Sequence, residues 1–265
     1  MRADVWRNCW RFRGFIAASV KRDFSSRYLG TQLGWLWAIA QPLALILIYT
    51  LVFAEIMKPA LPGHESKFAY SIYLCAGILL WQLFSELVGR SVGVFVQNAS
   101  LLKKVSVPKL SLPVIVALSG LSTFGVVAAL FLGFLAIISA LPGLALLAMV
   151  PVVVLLVALA MGLGIFLGSI NVFYRDVEQS TAIVLQFWFW LTPIVYPVRA
   201  VPDFLETALA WNPLAPIVGF SQTLFLDGVV PDWAPLLYPT VVATILLALG
   251  FAAFARLGGE MVDEL

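Results

Sequence analysis

From Leu110 to Tyr174 the chain runs for 65 residues without a single charged side chain. A soluble domain carries about a quarter of its residues as Asp, Glu, Lys or Arg, because exposed helix faces need them. As one helix this run would be about 98 Å long at 1.5 Å per residue. The hydrocarbon core of a bilayer is only about 30 Å thick. Pro142-Gly143 sits near the middle and signals a turn, so the run reads as two spans, 110–140 and 144–173. Composition agrees: 62% of residues are hydrophobic and 11% charged, and the mean hydropathy is +1.00. A length of 265 residues would admit one or two soluble domains, but too few charges exist to coat them. The chain is expected to be an all-α integral membrane protein.

Further apolar runs of about 20 residues mark the other crossings. They cover 35–57, 68–92, 179–196 and 233–255, giving six transmembrane helices and placing both termini on one side. Lys and Arg decide which side. Arg2, Arg7, Arg11, Arg13, Lys21, Arg22, Arg27, Arg90, Lys103, Lys104, Lys109, Arg175 and Arg256 lie on the face of the termini, against Lys58, Lys67 and Arg199 on the other. The N and C termini are therefore expected in the cytoplasm. A long polar segment precedes a first apolar run of full span length, which is unlike a signal peptide.

Three segments are not spans. In the cytoplasmic segment 1–34, Val5, Trp6, Cys9, Trp10, Ile16, Val20, Phe24 and Tyr28 share one side of a helix. Arg7, Arg11, Lys21 and Arg22 lie mostly opposite, which suits an amphipathic helix at a membrane interface. A helix packed on the protein's own spans is the alternative. Segment 97–108 mixes Ser100, Leu101, Leu102, Lys103, Lys104 and Val105, with Asn98 or Ser100 able to cap a short helix and Pro108 ending it. It reads as an adhesive segment or as an ordinary topogenic loop. Segment 197–232 holds two apolar pieces, 204–211 and 214–226, around Asn212-Pro213. Both are too short to cross, so they are expected as two short re-entrant helices between spans five and six, with an inert outer cap as the alternative.

Chemistry-bearing residues are few. One histidine, His64, and two cysteines, Cys9 and Cys75, do not make a multi-ligand metal site, and the thiols read as structural. No catalytic residues are expected. The chain has no phosphate-cradling G-x-x-x-x-G-K-[ST] loop, so ATP chemistry belongs to another polypeptide. The formal charge of +2 gives no reason to expect nucleic acid. Glu86 and Arg90 stand four apart and share a helix face. They read as a structural ion pair or the inner mouth of a pathway, in preference to a proton relay. Arg175-Asp176-Val177-Glu178 is a charged turn that reads as a topological stop. Gly164-x-x-x-Gly168 permits close helix packing, although the match is weak in so apolar a segment. Aromatic rings are abundant, and many suit the interfacial belt. The run Phe187-Trp188-Phe189-Trp190 covers most of a helix circumference, so some of its rings face protein or a pathway. Flat apolar rings suit stacking on the C–H faces of sugars.

Taken together, Arg22-Asp23-Phe24-Ser25-Ser26-Arg27-Tyr28-Leu29-Gly30, Leu33-Gly34-Trp35-Leu36-Trp37 and Gln41-Pro42 resemble the entry to the first span of type-2 ABC exporter permeases for polysaccharides. The segments from Asn98 to Pro108, Phe173-Tyr174-Arg175-Asp176-Val177, Thr192-Pro193-Ile194-Val195-Tyr196-Pro197 and Asn212-Pro213 continue the resemblance. It covers nearly the whole chain in order, is nearest to the O-antigen permease type, and is shared with capsule and teichoic-acid permeases. It implies a single transmembrane domain over 1–265 and a homodimer in the bacterial inner membrane, bound to two ABC ATPase subunits that hold ATP and Mg. The chain itself would bind no cofactor. The implied cargo is a polysaccharide linked to a polyprenyl diphosphate lipid. Ser100, Leu101, Leu102, Lys103, Lys104 and Val105 would then form the coupling segment on the ATPase. Trp35, Tyr49, Phe53, Trp81, Phe187, Trp188 and Tyr196 are the candidates for a glycan conduit. Phe204, Trp211, Asn212 and Pro213 would belong to the outer gate. A membrane enzyme acting on lipid-linked sugars is a second class, opposed by the absence of clustered acids in the loops. An ABC permease for a drug or a simple lipid is a third.

Overall fold

The computed structural model describes residues 12–29, 66, 68–104, 108–198 and 209–264, with positions 36, 40, 43, 44, 46–48 and 51. Among these residues the chain is all helical, without a strand. Most of the expected first span, the amphipathic positions Val5, Trp6, Cys9 and Trp10, and the piece 204–208 lie outside the described residues. Four helical segments are long and apolar enough to cross a membrane: Ala69–Gln97, Ser111–Ile137, Gly143–Asn171 and Ala234–Leu257.

The helices are α1 (Arg13–Leu29), α2 (Ala69–Gln97), α3 (Ala99–Lys104), α4 (Ser111–Ile137), α5 (Met149–Asn171), α6 (Asp176–Trp190), α7 (Leu214–Asp227), α8 (Leu237–Leu257) and α9 (Met261–Glu264). Short 3-10 segments, two turns at Gly143–Ala148 and one at Ala234–Leu236, lead into α5 and α8. Each boundary has a local cause. Asn98 closes α2, its amide donating to the Val94 carbonyl at 2.8 Å, while its own carbonyl accepts from Leu102 and opens α3. The α3 start is thus built on a backbone oxygen, and the Asn98 side chain serves the preceding helix. Pro108 turns the chain, and its carbonyl accepts both the amide and the hydroxyl of Ser111.

The long charge-free run breaks where Pro142-Gly143 lies. α4 ends in a left-handed residue, Ser139 at φ 57°. The amides of Ser139 and Ala140 return to Ala136 and Leu135, respectively, the two bonds of a Schellman motif. Gly143, at φ 60°, then reverses the chain.

α6 departs from the expected span 179–196. It starts earlier, at Asp176, and stops at Trp190 after 15 residues, about 22 Å at 1.5 Å per residue. Thr192-Pro193 explains the stop, since the residue before proline avoids helical backbone and proline has no N–H to donate. α7 begins on Asn212-Pro213 and ends on Gly228 at φ 68°.

α5 is the hub, packed along α8 on one side and α2 on the other. Small residues make this possible. A Cβ on Gly162 would fall 2.6 Å from the backbone nitrogen of Leu247, and one on Gly250 would fall 2.7 Å from the Gly162 carbonyl. On the α2 side, a Cβ on Gly168 would meet the Ser91 carbonyl at 2.5 Å and one on Gly164 would meet the Ser91 Cβ at 2.5 Å. Backbones therefore touch at both crossings. α2 is enclosed by α4, α5, α6 and α7. Its most apolar window is 67% buried, against 22% for α4 and for α8. Leu237, Val241, Ile245 and Leu249 recur every fourth residue along α8, all exposed, an apolar outward stripe beside Thr240 and Thr244, whose hydroxyls donate to carbonyls of the same helix segment. α1 lies along α4 and buries Ile16 and Ser19, so among the described residues it packs on the protein itself.

Candidate functional site

Amide and charged side chains placed inside apolar segments are costly without partners, and those that bridge one helix to another gather in three places. The first is the corner where α6 ends and α7 begins. Asn212 makes four contacts there. Its Oδ1 accepts from Trp188 Nε1 at 2.9 Å and from the Leu214 amide at 3.0 Å. Its Nδ2 donates to the Leu191 carbonyl and to Thr192 Oγ1, both at 3.0 Å. Gln222, one helical face further along α7, donates to the carbonyls of Pro193 and Ile194. Tyr73 donates to the Tyr196 carbonyl at 3.0 Å and Tyr70 to that of Val195. The turn 191–196 is thereby tied to both α7 and the Ala69 end of α2.

Rings sort by helical phase. Trp188 meets Phe84 edge-on at 5.3 Å, and Trp81 meets Phe189 at 5.5 Å and Phe84 at 5.9 Å. Trp81 and Trp188 are thus taken up in packing between α2 and α6. Phe187 is turned the other way and is 67% exposed, as is Trp190 at 61%. With Ile183 and Gln186, also exposed, these rings form one face at spacings of three and four. That face carries an amide among aromatic and aliphatic groups, unlike the outward stripe of α8. Tyr196 donates to the Trp190 carbonyl at 2.7 Å. Trp211 is exposed, and its carbonyl accepts from Tyr238 at 2.9 Å. Pro213 is buried at the start of α7. Trp35, Tyr49, Phe53 and Phe204 lie outside the described residues.

The second place lies toward the Gln97 end of α2. Arg90 Nη1 contacts Glu86 Oε1 at 3.2 Å, and Nη2 contacts Asp23 Oδ2 of α1 at 2.7 Å. Ser119 of α4 donates to the same Asp23 oxygen. Three helices meet on one guanidinium and one carboxylate, each side chain a little over a quarter exposed.

The third place is the Arg175-Asp176-Val177-Glu178 turn, which does more than end a span. The Glu178 amide donates to Asn171 Oδ1 at 3.0 Å, and Gln97 Nε2 donates to Glu178 Oε1 at 3.2 Å. Asn171 Nδ2 reaches the Val92 carbonyl at 3.1 Å. The first turn of α6 is thus fastened to the ends of α2 and α5. Beside it, α3 exposes Ser100 and Lys103, while Leu102 is half-buried against the protein's own core. Val105 and the side chains of Leu101 and Lys104 lie outside the described residues. Lys109 donates to the Gly258 carbonyl, joining the start of α4 to the end of α8.

Ser119, Asn171 and Gln222 were not singled out from the sequence, and Asp23 was named only as part of the motif before the first span. The available signal was their type: Asn171 lies within the charge-free run and Gln222 within an apolar helix, and a buried amide without a partner is costly. Among the described residues, no group of three or more His, Cys, Asp or Glu side chains is gathered to hold a metal ion.

Comparison with known proteins follows the same outline. A protein of Myxococcus xanthus named O-antigen export system permease protein RfbA is 28% identical over 263 residues, 98% of each chain. A protein of the same name from Klebsiella pneumoniae is 29% identical over 91% of each. The polysialic acid transport protein KpsM of Escherichia coli is 25% identical over 90% of this chain and 92% of its own. The ABC-2 type transporter family matches residues 15–226, a stretch that runs from α1 almost to the end of α7. With at least four membrane-length apolar helices and this match over most of its length, the chain belongs to the ABC-2 type transporter family.

Proposed function

We propose that this multi-pass membrane protein is the permease subunit of an ABC exporter that moves a polyprenyl-diphosphate-linked polysaccharide, O-antigen in the first instance, from the cytoplasm to the periplasm. The observation that carries this reading is the alignment with a protein named as an O-antigen export permease over 98% of both chains. ATP hydrolysis, with its Mg, is assigned to two separate ATPase subunits, and the permease works as a homodimer in the inner membrane.

The placement of Lys and Arg supports six spans with both termini in the cytoplasm. The Gln97 end of α2 and the α3 segment then face the ATPase, with Ser100 and Lys103 outward. The opposite end of α2, near Ala69, is periplasmic. Trp188, which donates to Asn212, touches Phe84 about midway along α2, whereas Leu226 near the other end of α7 packs on Ala69 and Tyr73, so the Asn212-Pro213 corner lies deeper than the end of α7. Depth of this kind supports a re-entrant α7 acting with 204–211 as an outer gate. A polymer must slide past many equivalent positions, so weak stacking contacts serve it better than directional hydrogen bonds, which leave unpaired groups after each step. The exposed Ile183, Gln186, Phe187 and Trp190 face suits the wall of such a path.

Deletion of this chain in its native host is expected to abolish the long O-antigen ladder of surface lipopolysaccharide, with undecorated glycan accumulating inside. An unchanged ladder at the cell surface would refute the reading. Likeness to the polysialic acid transport protein KpsM favours a capsule polymer as the second reading, and the same deletion would then remove capsule and leave the ladder.

A further inference from the structure

We propose that Asp23 and Arg90 are a positioning pair that carries movement from the α3 segment to the N-terminal helix α1 during transport. The inference rests on the permease reading above and assigns residues to its coupling step. α1 lies along α4, and Ile16 and Ser19 are the buried positions among its described side chains. It reaches α2 through Asp23, whose carboxylate meets Arg90 at 2.7 Å and accepts from Ser119.

Arg90 stands about two helical turns from the end of α2, and α2 passes into α3 through the single residue Asn98. Asn98 bonds to both helices, with its amide on Val94 and its carbonyl on Leu102. A push on α3 is therefore delivered to α2 with little slack. α2 is the most enclosed of the long helices, so it transmits the push as a rod. At Arg90 the rod is pinned to α1, and α1 leads along the chain to the apolar run that begins at Trp35. The path joins the ATPase face to the proposed first span of the conduit.

The chemistry suits this task. A guanidinium offers a planar fork and holds two carboxylates at once, here Glu86 of its own helix and Asp23 of α1. Glu86 restrains the Arg90 side chain, so the second arm points at α1 in a fixed direction. An apolar contact would hold α1 as firmly and let it slide; an ion pair with a fixed fork sets its register.

The test uses the full permease–ATPase complex in proteoliposomes, with transported glycan and hydrolysed ATP measured together. Asp23→Asn is expected to lower glycan moved per ATP by about tenfold while ATP turnover stays near the wild-type rate. Asp23→Glu, which restores the charge, is expected to recover most of the ratio. Arg90→Lys keeps the charge and the fold but cannot hold two carboxylates in a fixed fork, so its ratio is expected to fall as well, even if Asp23→Asn does not assemble. A wild-type ratio in assembled Asp23→Asn or Arg90→Lys overturns the pair's role. A fall in transport and ATP turnover by the same factor also overturns it, since that marks a structural contact. Failure of the wild-type complex to move any glycan would instead refute the permease reading.

Discussion

Trp188 and Asn212 meet where α6 stops and α7 begins, the indole N–H donating to the amide oxygen at 2.9 Å across 24 residues of chain. Asn212 is buried and fully engaged, with the Leu214 amide, the Leu191 carbonyl and Thr192 Oγ1 as its other partners. Replacing it by Ala leaves four polar groups to find new partners, at about 1–3 kcal/mol for each buried one that fails. Asn212→Asp keeps the two accepting roles and loses the two donating ones. We expect both variants to melt earlier than wild type in detergent, Ala earlier than Asp. An Asn212→Ala protein as stable as wild type would show that the corner is held by other contacts.

The glycines give a contrast of sign. A Cβ at Gly168 would lie 2.5 Å from the Ser91 carbonyl, backbone that cannot rotate away. Gly168→Ala is expected to push α5 off α2 and to lower yield and melting temperature. Gly125 and Gly133 of α4 have nothing within 4 Å of an added Cβ. There the Ala variants gain about 0.5–1 kcal/mol from restricting the unfolded backbone. Size-exclusion profiles and thermal melts of the three variants check the order.

How much of this was legible in the sequence depends on the range of the forces involved. The 65-residue charge-free run and its Pro142-Gly143 break are local facts, and α4 and α5 follow from them directly. α6 shows the limit of hydropathy: the apolar character continues through Ile194 and Val195, so the sequence reads as a longer helix than the one that forms, although Thr192-Pro193 stops it at Trp190. Phe187 and Trp188 are equally aromatic neighbours, yet one is exposed and the other serves as a staple on Phe84 and Asn212. Only the helical phase against α2 decides between them. The Asp23, Arg90 and Ser119 node joins residues 67 and 96 positions apart, and no local pattern announces it.

α3 separates two kinds of effect. Lys103 is exposed, whereas Leu102 is half-buried on the protein's own core. Lys103→Glu is expected to weaken capture of the ATPase subunit without changing the permease's melting temperature. Leu102→Ala removes packed methylenes and is expected to cost about 1–3 kcal/mol of stability and to leave capture nearly intact in protein that folds. Pull-down yield and thermal melting of each purified variant distinguish the two. Reversed assignments would place the ATPase contact on Leu102.

The face of α6 and the stripe of α8 predict different surroundings. Leu237, Val241, Ile245 and Leu249 present hydrocarbon alone, which suits lipid tails. The α6 face sets Gln186 among Ile183, Phe187 and Trp190, all exposed. An amide turned to lipid without a partner would cost roughly 2 kcal/mol or more, so a lipid-facing placement is disfavoured, and the proposed glycan path is the surrounding to be tested. Single cysteines test the contrast in a background with Cys9 and Cys75 replaced by Ala. A thiol reacts as its thiolate, which needs water around it. In the assembled, transporting complex, Gln186→Cys and Phe187→Cys are expected to react with a charged, membrane-impermeant reagent at least about tenfold faster than Ile245→Cys. Glycan filling the path should slow the first two and leave the third unchanged. Trp188→Cys, placed among Phe84 and Asn212, should react slowly throughout. Silence at both 186 and 187 with normal transport would put the α6 face against lipid or protein, and the conduit would then run elsewhere.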